Sequence, residues 1–124
     1  MSERCITFEI PGPPKPKDRP RFSGHVYTTK ATKDYEHVVT LSALAALVQH
    51  PGWDTSGRFG IRVTFFMGDK RKRDLDNCLK SVTDALNKLL YKDDSQLDAI
   101  SAYREYDKER PRSAVSVYRL GEVE

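Results

Sequence analysis

Ile6, Phe8 and Ile10 alternate with polar neighbours in Cys5-Ile6-Thr7-Phe8-Glu9-Ile10, and this period of two predicts a strand with one buried face that stops at Pro11-Gly12-Pro13-Pro14. In the next segment Pro11, Pro13, Pro14, Pro16 and Pro20 favour extended backbone, which predicts a loop with little helix or sheet of its own. From Thr32 to His50 the apolar residues Tyr35, Val38, Val39, Leu41, Ala45, Ala46 and Val48 allow a helix with a broad apolar side, begun by a Thr or Asp cap and stopped by Pro51-Gly52. Phe59, Ile61, Val63 and Phe65 then alternate within residues 58–67, the clearest strand of the chain, closed by Gly68-Asp69. Leu79, Val82, Leu86 and Leu89 recur at spacings of three and four, so a second helix is expected from Asp76 to Tyr91 with one stripe on the core. Two last runs, Ile100 to Tyr106 and Ala114 to Tyr118, read as strands around a charged turn and predict a terminal hairpin. The order β-α-β-α-β-β implies an α+β fold, a mixed sheet with both helices packed on it, as a single domain over residues 1–124.

Composition is compatible with that picture. A chain of 124 residues is long enough to bury one core without disulfides or a structural metal. Cys5 and Cys78 fall in a predicted strand and a predicted helix, form no disulfide framework or zinc cluster, and are expected as free core thiols. No window approaches the roughly 20 apolar residues that span a bilayer, so a soluble cytoplasmic protein without a membrane partner is expected. The net charge of +3 is mild, but its distribution is uneven. Between Lys15 and Lys33 lie six Lys or Arg opposed only by Asp18, and residues 70–73 are all cationic. A partner with a phosphate backbone fits this pattern.

The second cationic run is fused to carboxylates in Lys70-Arg71-Lys72-Arg73-Asp74-Leu75-Asp76-Asn77. Cations neutralise a polyanionic backbone, and carboxylates become useful beside phosphate once a divalent metal sits between them. The combination points to a metal-dependent nuclease. Asp74 and Asp76 point the same way only if the backbone is extended, so the pair should precede the helix, with Asp76 as its N-cap. Lys80 falls one turn beyond Asp76 and Asp84 one turn beyond Lys80, either as surface ion pairs or with Lys80 offsetting charge on a scissile phosphate. Asp93, Asp94 and Asp98 are the nearest further oxygen donors. A helix of about 14 residues carries the chain roughly 20 Å, which would put Asp94 at the far end from Asp74 and Asp76. If Asp94 shares their metal, it is expected to come from a second subunit of an isologous dimer. A calcium loop is a poor rival, since Leu79 stands where such a loop needs glycine.

Arg73-Asp74-Leu75-Asp76-Asn77, Lys80, Asp84-Ala85-Leu86 and Asp93-Asp94, together with Pro11-Gly12-Pro13-Pro14-Lys15-Pro16-Lys17 and Arg19-Pro20-Arg21, resemble the RusA family of Holliday junction resolvases. The resemblance implies a homodimeric endodeoxyribonuclease that cuts four-way or otherwise branched DNA by paired symmetric nicks, with Mg²⁺ as cofactor and Mn²⁺ as a substitute. It implies Asp74, Asp76 and Asp94 as metal ligands and Lys80 as the essential lysine. Lys15, Lys17, Arg19, Arg21, Arg71, Lys72 and Arg73 are the expected phosphate contacts, which position DNA without reading its sequence. Phe22 or Tyr27 could stack on a base opened at the crossover, or anchor the loop. Two other readings are a branched-DNA binding protein without catalysis and a nuclease for flaps and related structures.

Overall fold

The computed structural model describes residues 4–18 and 21–121, which leaves the expected DNA contact Arg19 outside the described residues. In β1 (Cys5–Pro11) the alternation is realised: Ile6, Phe8 and Ile10 are buried and their neighbours face outward. Cys5 is one of those neighbours, so it is exposed rather than a core thiol, while Cys78 is buried as expected. The described part of the proline-rich segment after β1, residues 12–18, forms neither helix nor strand, as expected, and a small sheet that the pattern did not foretell follows it. There β2 (Arg21–Phe22) and β3 (Val26–Tyr27) pair as an antiparallel ribbon, closed by a turn in which Gly24 takes φ 75°.

Helix α1 (Lys30–Val48) starts slightly earlier than its apolar pattern does, because Thr29 is the N-cap and its hydroxyl accepts from the Thr32 amide. Its buried side is narrower than the sequence suggests. Tyr35, Val39 and Ala43 are in the core, whereas Leu41 and Val48 stay 53% and 75% exposed.

Strand β4 (Phe59–Met67) occupies the middle of the sheet, with Phe59, Ile61, Val63, Phe65 and Met67 all in the core. β5 (Leu97–Tyr106) runs parallel to it on one side. β6 (Arg112–Arg119) runs antiparallel on the other, giving the order β1-β6-β4-β5. The expected terminal hairpin therefore does not form. The most continuously apolar strand takes the position shielded on both edges, and β5 and β6 flank it instead of pairing with each other. The turn between them is held to the end of β4 by the Asp107 amide, which donates to the Met67 carbonyl at 2.8 Å. Opposite Tyr118, a Cβ at residue 60 would lie 2.3 Å from the tyrosine ring, so glycine there lets the ring lie over the strand and any larger residue would displace it.

Helix α2 (Leu75–Leu86) bridges β4 and β5 and stops well before Tyr91. At its end Asn87 leaves helical geometry and Lys88 takes φ 70°. Tertiary packing overrides the helical period here. Leu86, Leu90 and Tyr91 are all fully buried. The Tyr91 hydroxyl donates to the Thr83 carbonyl at 2.8 Å, and the Trp53 indole N–H donates to the Leu90 carbonyl at 2.8 Å. A 3-10 turn, Asp94–Gln96, then leads into β5. The helices touch each other on one side of the sheet, α1 against β1 and α2 against β5, over one hydrophobic cluster. Among the described residues no helix is long and apolar enough to cross a membrane.

Candidate active site and nucleic-acid interface

Asp74, not Asp76, caps α2. Its backbone is extended, and its Oδ1 accepts from the amides of Asp76 at 2.9 Å and Asn77 at 3.4 Å. With the helix opening at Leu75, Asp76 falls inside the first turn, where the dipole favours its negative charge. The two carboxylates therefore do not project side by side from an extended strand. Asp74 is turned back onto the helix start and Asp76 stands on the helix surface. Among the described residues no side chain bonds to or pairs with the Asp76 carboxylate.

Asp76, Leu79, Lys80 and Thr83 of α2 line one wall of a groove of about 300 Å³, and Asp94, Leu97 and Ile100 line the other. Asp94 thus lines this groove within a single chain, with Asp84, Asp93, Lys80 and Lys17 as the charges around it rather than Asp74 or Asp76. Because α2 stops at Leu86 and the following turn folds back, β5 returns alongside the helix that precedes it. From Asp76 to Thr83 the helix axis advances about 10 Å, so the groove is long, with Lys80 near its middle. Lys80 Nζ lies 3.5 Å from Asp84 and is 62% exposed, free to swing toward a ligand.

Asp93 and Asp94 are adjacent but differ in environment. The Asp93 carboxylate accepts from the Ser95 amide at 3.0 Å, and its own amide donates to the Gln96 side chain at 2.9 Å, a reciprocal cap. Those bonds to Ser95 hold the Asp93 carboxyl below its ordinary range. Asp94 faces the groove, where burial first, then the neighbouring Asp84 and Asp93, push its carboxyl up against the opposing pull of Lys80 and Lys17. A carboxylate that is costly to ionise without a cation nearby suits a metal-holding role.

Magnesium commonly takes one or two carboxylates together with water and substrate phosphate. The hard oxygens of Asp76, the free oxygen of Asp74 and the carboxylate of Asp94 fit that chemistry. Among the described residues no three His, Cys, Asp or Glu side chains are gathered tightly enough to cage an ion. Asp76 and Asp94 thus line one groove, with Asp74 capping the start of α2 outside that lining, rather than closing into a triad.

The expected phosphate contacts divide into two sets. Lys17 is not held outward: its ammonium donates to Asp84 at 2.5 Å, lies 3.5 Å from Glu36, and its amide donates to the Asn77 carbonyl at 3.0 Å. Lys15 pairs with Asp18 at 3.4 Å, and its carbonyl accepts from the Ser81 hydroxyl at 2.9 Å. These bonds strap the proline-rich segment along α2. Arg73 is also committed, through a two-pronged contact with Asp69 at 2.9 and 3.2 Å that leaves its side chain only 16% exposed. Asp69 is held far below the usual carboxylate range, mainly by that Arg73 contact. Arg21, Arg71 and Lys72 remain exposed. Lys70 is exposed too and sits over the Tyr106 ring at 5.6 Å. The clamps Asp69 and Asp84 could not be assigned from sequence, because neither partner is recognisable without the fold.

Unpaired carboxylates and an exposed lysine in one groove, beside a run of exposed cations, define a site of the phosphodiester-cleaving class. The sequence model of the family described as Endodeoxyribonuclease RusA matches residues 11–118. The chain belongs to the RusA endodeoxyribonuclease family, and is an enzyme that hydrolyses DNA phosphodiester bonds. It is also similar to "Uncharacterized protein YqaN" of Bacillus subtilis (strain 168), with 30% identity over 137 aligned residues that cover 91% of this chain and 95% of that protein.

Proposed function

We propose that the protein is a Mg²⁺-dependent resolvase of four-way DNA junctions, with Mn²⁺ as a substitute metal, making paired symmetric nicks in cytoplasmic DNA recombination and repair. The observation that supports this reading is one groove lined by Asp76, Lys80 and Asp94, with exposed Arg71 and Lys72 a few residues before α2. Bound Mg²⁺ would supply a Lewis acid for the phosphate and an acidified water as nucleophile. Asp76 and Asp94, with the free oxygen of Asp74, are the groups to hold it. Lys80 leaves Asp84 to offset the negative charge that grows on the phosphate oxygens. Arg21, Arg71 and Lys72 hold the DNA arms through phosphate.

We further infer that two copies work together. The Asp76 and Asp94 ends of the groove are separated along α2, so a neighbouring chain that brings its own carboxylates would close the donor set. Two features suit such contact: Ile100 in the groove wall opposite α2 is 55% exposed, and β5 is an edge strand.

The test is cleavage of a labelled synthetic four-way junction against linear duplex and flap controls, in Mg²⁺ or EDTA, with Asp76→Asn alongside. Paired nicks specific to the junction are expected, abolished by EDTA and reduced about 100-fold or more by Asp76→Asn. Preferential cutting of flaps, or cutting that survives the loss of Asp76, refutes the reading.

A further inference from the structure

We propose that the ribbon of β2 and β3 is a wedge that enters the branch point of the DNA, with Phe22 stacked on a base that has lost its neighbour there. This rests on the reading of the protein as a branched-DNA nuclease and adds the element that recognises the branch.

Phe22 and Val26 are direct cross-strand partners, so their side chains share one face of the ribbon. They are 76% and 70% exposed, and neither belongs to the hydrophobic cluster nor packs against it. Two apolar side chains on so short a ribbon bury nothing for the fold, and a two-stranded ribbon is marginal by itself. The base of the ribbon is nevertheless held firmly. Asp18 accepts from the Thr29 hydroxyl at 2.9 Å, and the Asp18 amide donates to the Thr32 hydroxyl at 3.2 Å, which ties the ribbon to the start of α1. On the other side the Lys17 contacts with Asn77 and Asp84 tie it to α2, the helix that carries Asp76 and Lys80. Phe22 lies five positions after Lys17, so the wedge stands at most about 18 Å from that anchor.

Charge complementarity selects nucleic acid as the occupant. The segment from Lys15 to Lys33 holds six Lys or Arg against one Asp in the sequence; Lys15, Lys17 and Lys30 pair with carboxylates, and Arg21 stays exposed beside Phe22. An apolar surface beside the exposed Arg21 cation matches a nucleobase, which has an apolar face and a phosphate on either side. Apolar side chains inserted between base steps open and kink a duplex at a modest unstacking cost. At a four-way branch point stacking is already interrupted, so that cost is smallest there.

The experiment uses a junction carrying 2-aminopurine beside the branch point, whose emission rises when its neighbours unstack, with Ca²⁺ in place of Mg²⁺ to prevent cutting. Wild type should raise the emission. Phe22→Ala should lose the rise and bind the junction about 10- to 100-fold more weakly, with duplex binding unchanged. Phe22→Tyr, which keeps the ring, should retain both. The proposal is overturned if Phe22→Ala keeps the emission rise and the affinity, or if it weakens duplex and junction equally. A wild-type protein that neither binds nor cuts junctions instead overturns the nuclease reading, a failure visible before any ribbon variant is made.

Discussion

Asp84→Asn keeps the side-chain volume but removes the charge that joins the proline-rich segment to α2. Lys17 and Asp84 are 23% and 21% exposed and meet at 2.5 Å, so the pair is partly desolvated. Burial works to lower the Lys17 pKa, but its bonds to Asp84 and Glu36 outweigh that and raise it. An exposed ion pair contributes about 0.2–1 kcal/mol, and breaking a fully buried one costs about 3–5 kcal/mol. This pair lies between those limits, and Glu36 at 3.5 Å still partners Lys17 after the change. The expected loss is therefore about 1.5 kcal/mol, or about 6 °C in Tm for a domain of this size. Urea denaturation of wild type, Asp84→Asn, Lys17→Met and the double variant should give a coupling of about 1 kcal/mol that survives 0.5 M salt, because a partly buried pair is weakly screened. Additive single losses, or a loss below about 0.3 kcal/mol, would show that Lys17 is not the strap described here.

Other outcomes follow from the same contacts. Glu9, Asp18, Asp69 and Asp107 are lowered chiefly by bonds to Arg110, Thr29, Arg73 and Arg112 respectively. Each binds its proton less tightly in the folded state, so their contribution is complete above the unfolded values of 3.8 for Asp and 4.5 for Glu and is lost as pH falls through the folded values. The urea midpoint should hold from pH 7 to 5 and fall below about pH 4; a flat midpoint down to pH 3 contradicts these pairs. Asp94 has the opposite sign: its raised carboxyl favours the folded state when protonated, so its ionisation opposes folding as pH rises. Millimolar Mg²⁺ should raise the Tm at pH 7, and by much less at pH 4 or in Asp94→Asn, as read by a thermal-shift titration. Tyr91→Phe removes the bond to the Thr83 carbonyl and should cost about 1 kcal/mol. Amide exchange at residues 93–96 should speed up with it, and unchanged exchange would mean that this bond does not hold the turn beneath Asp94.

The strands and helices were legible where burial repeats with a local period. Ile6, Phe8 and Ile10, then Phe59 to Phe65, then Val82 and Leu86, each announce one buried face, and the chemical character of residues 70–77 needs no coordinates. Where the chain turns was decided by contacts distant in sequence. Trp53 and Thr83 draw Leu90 and Tyr91 out of the helical pattern, which shortens α2 and brings Asp94 back beside Lys80. The same kind of competition places β4 between β5 and β6, because one strand can be covered on both edges only when its sequence neighbours give up pairing with each other. Which cations are available was likewise a tertiary matter, since Lys17 and Arg73 read like Lys72 in the sequence and differ only in having Asp84 and Asp69 within reach. Periodicity encodes which residues are buried; a fixed set of distances between segments determines which charges remain free to act.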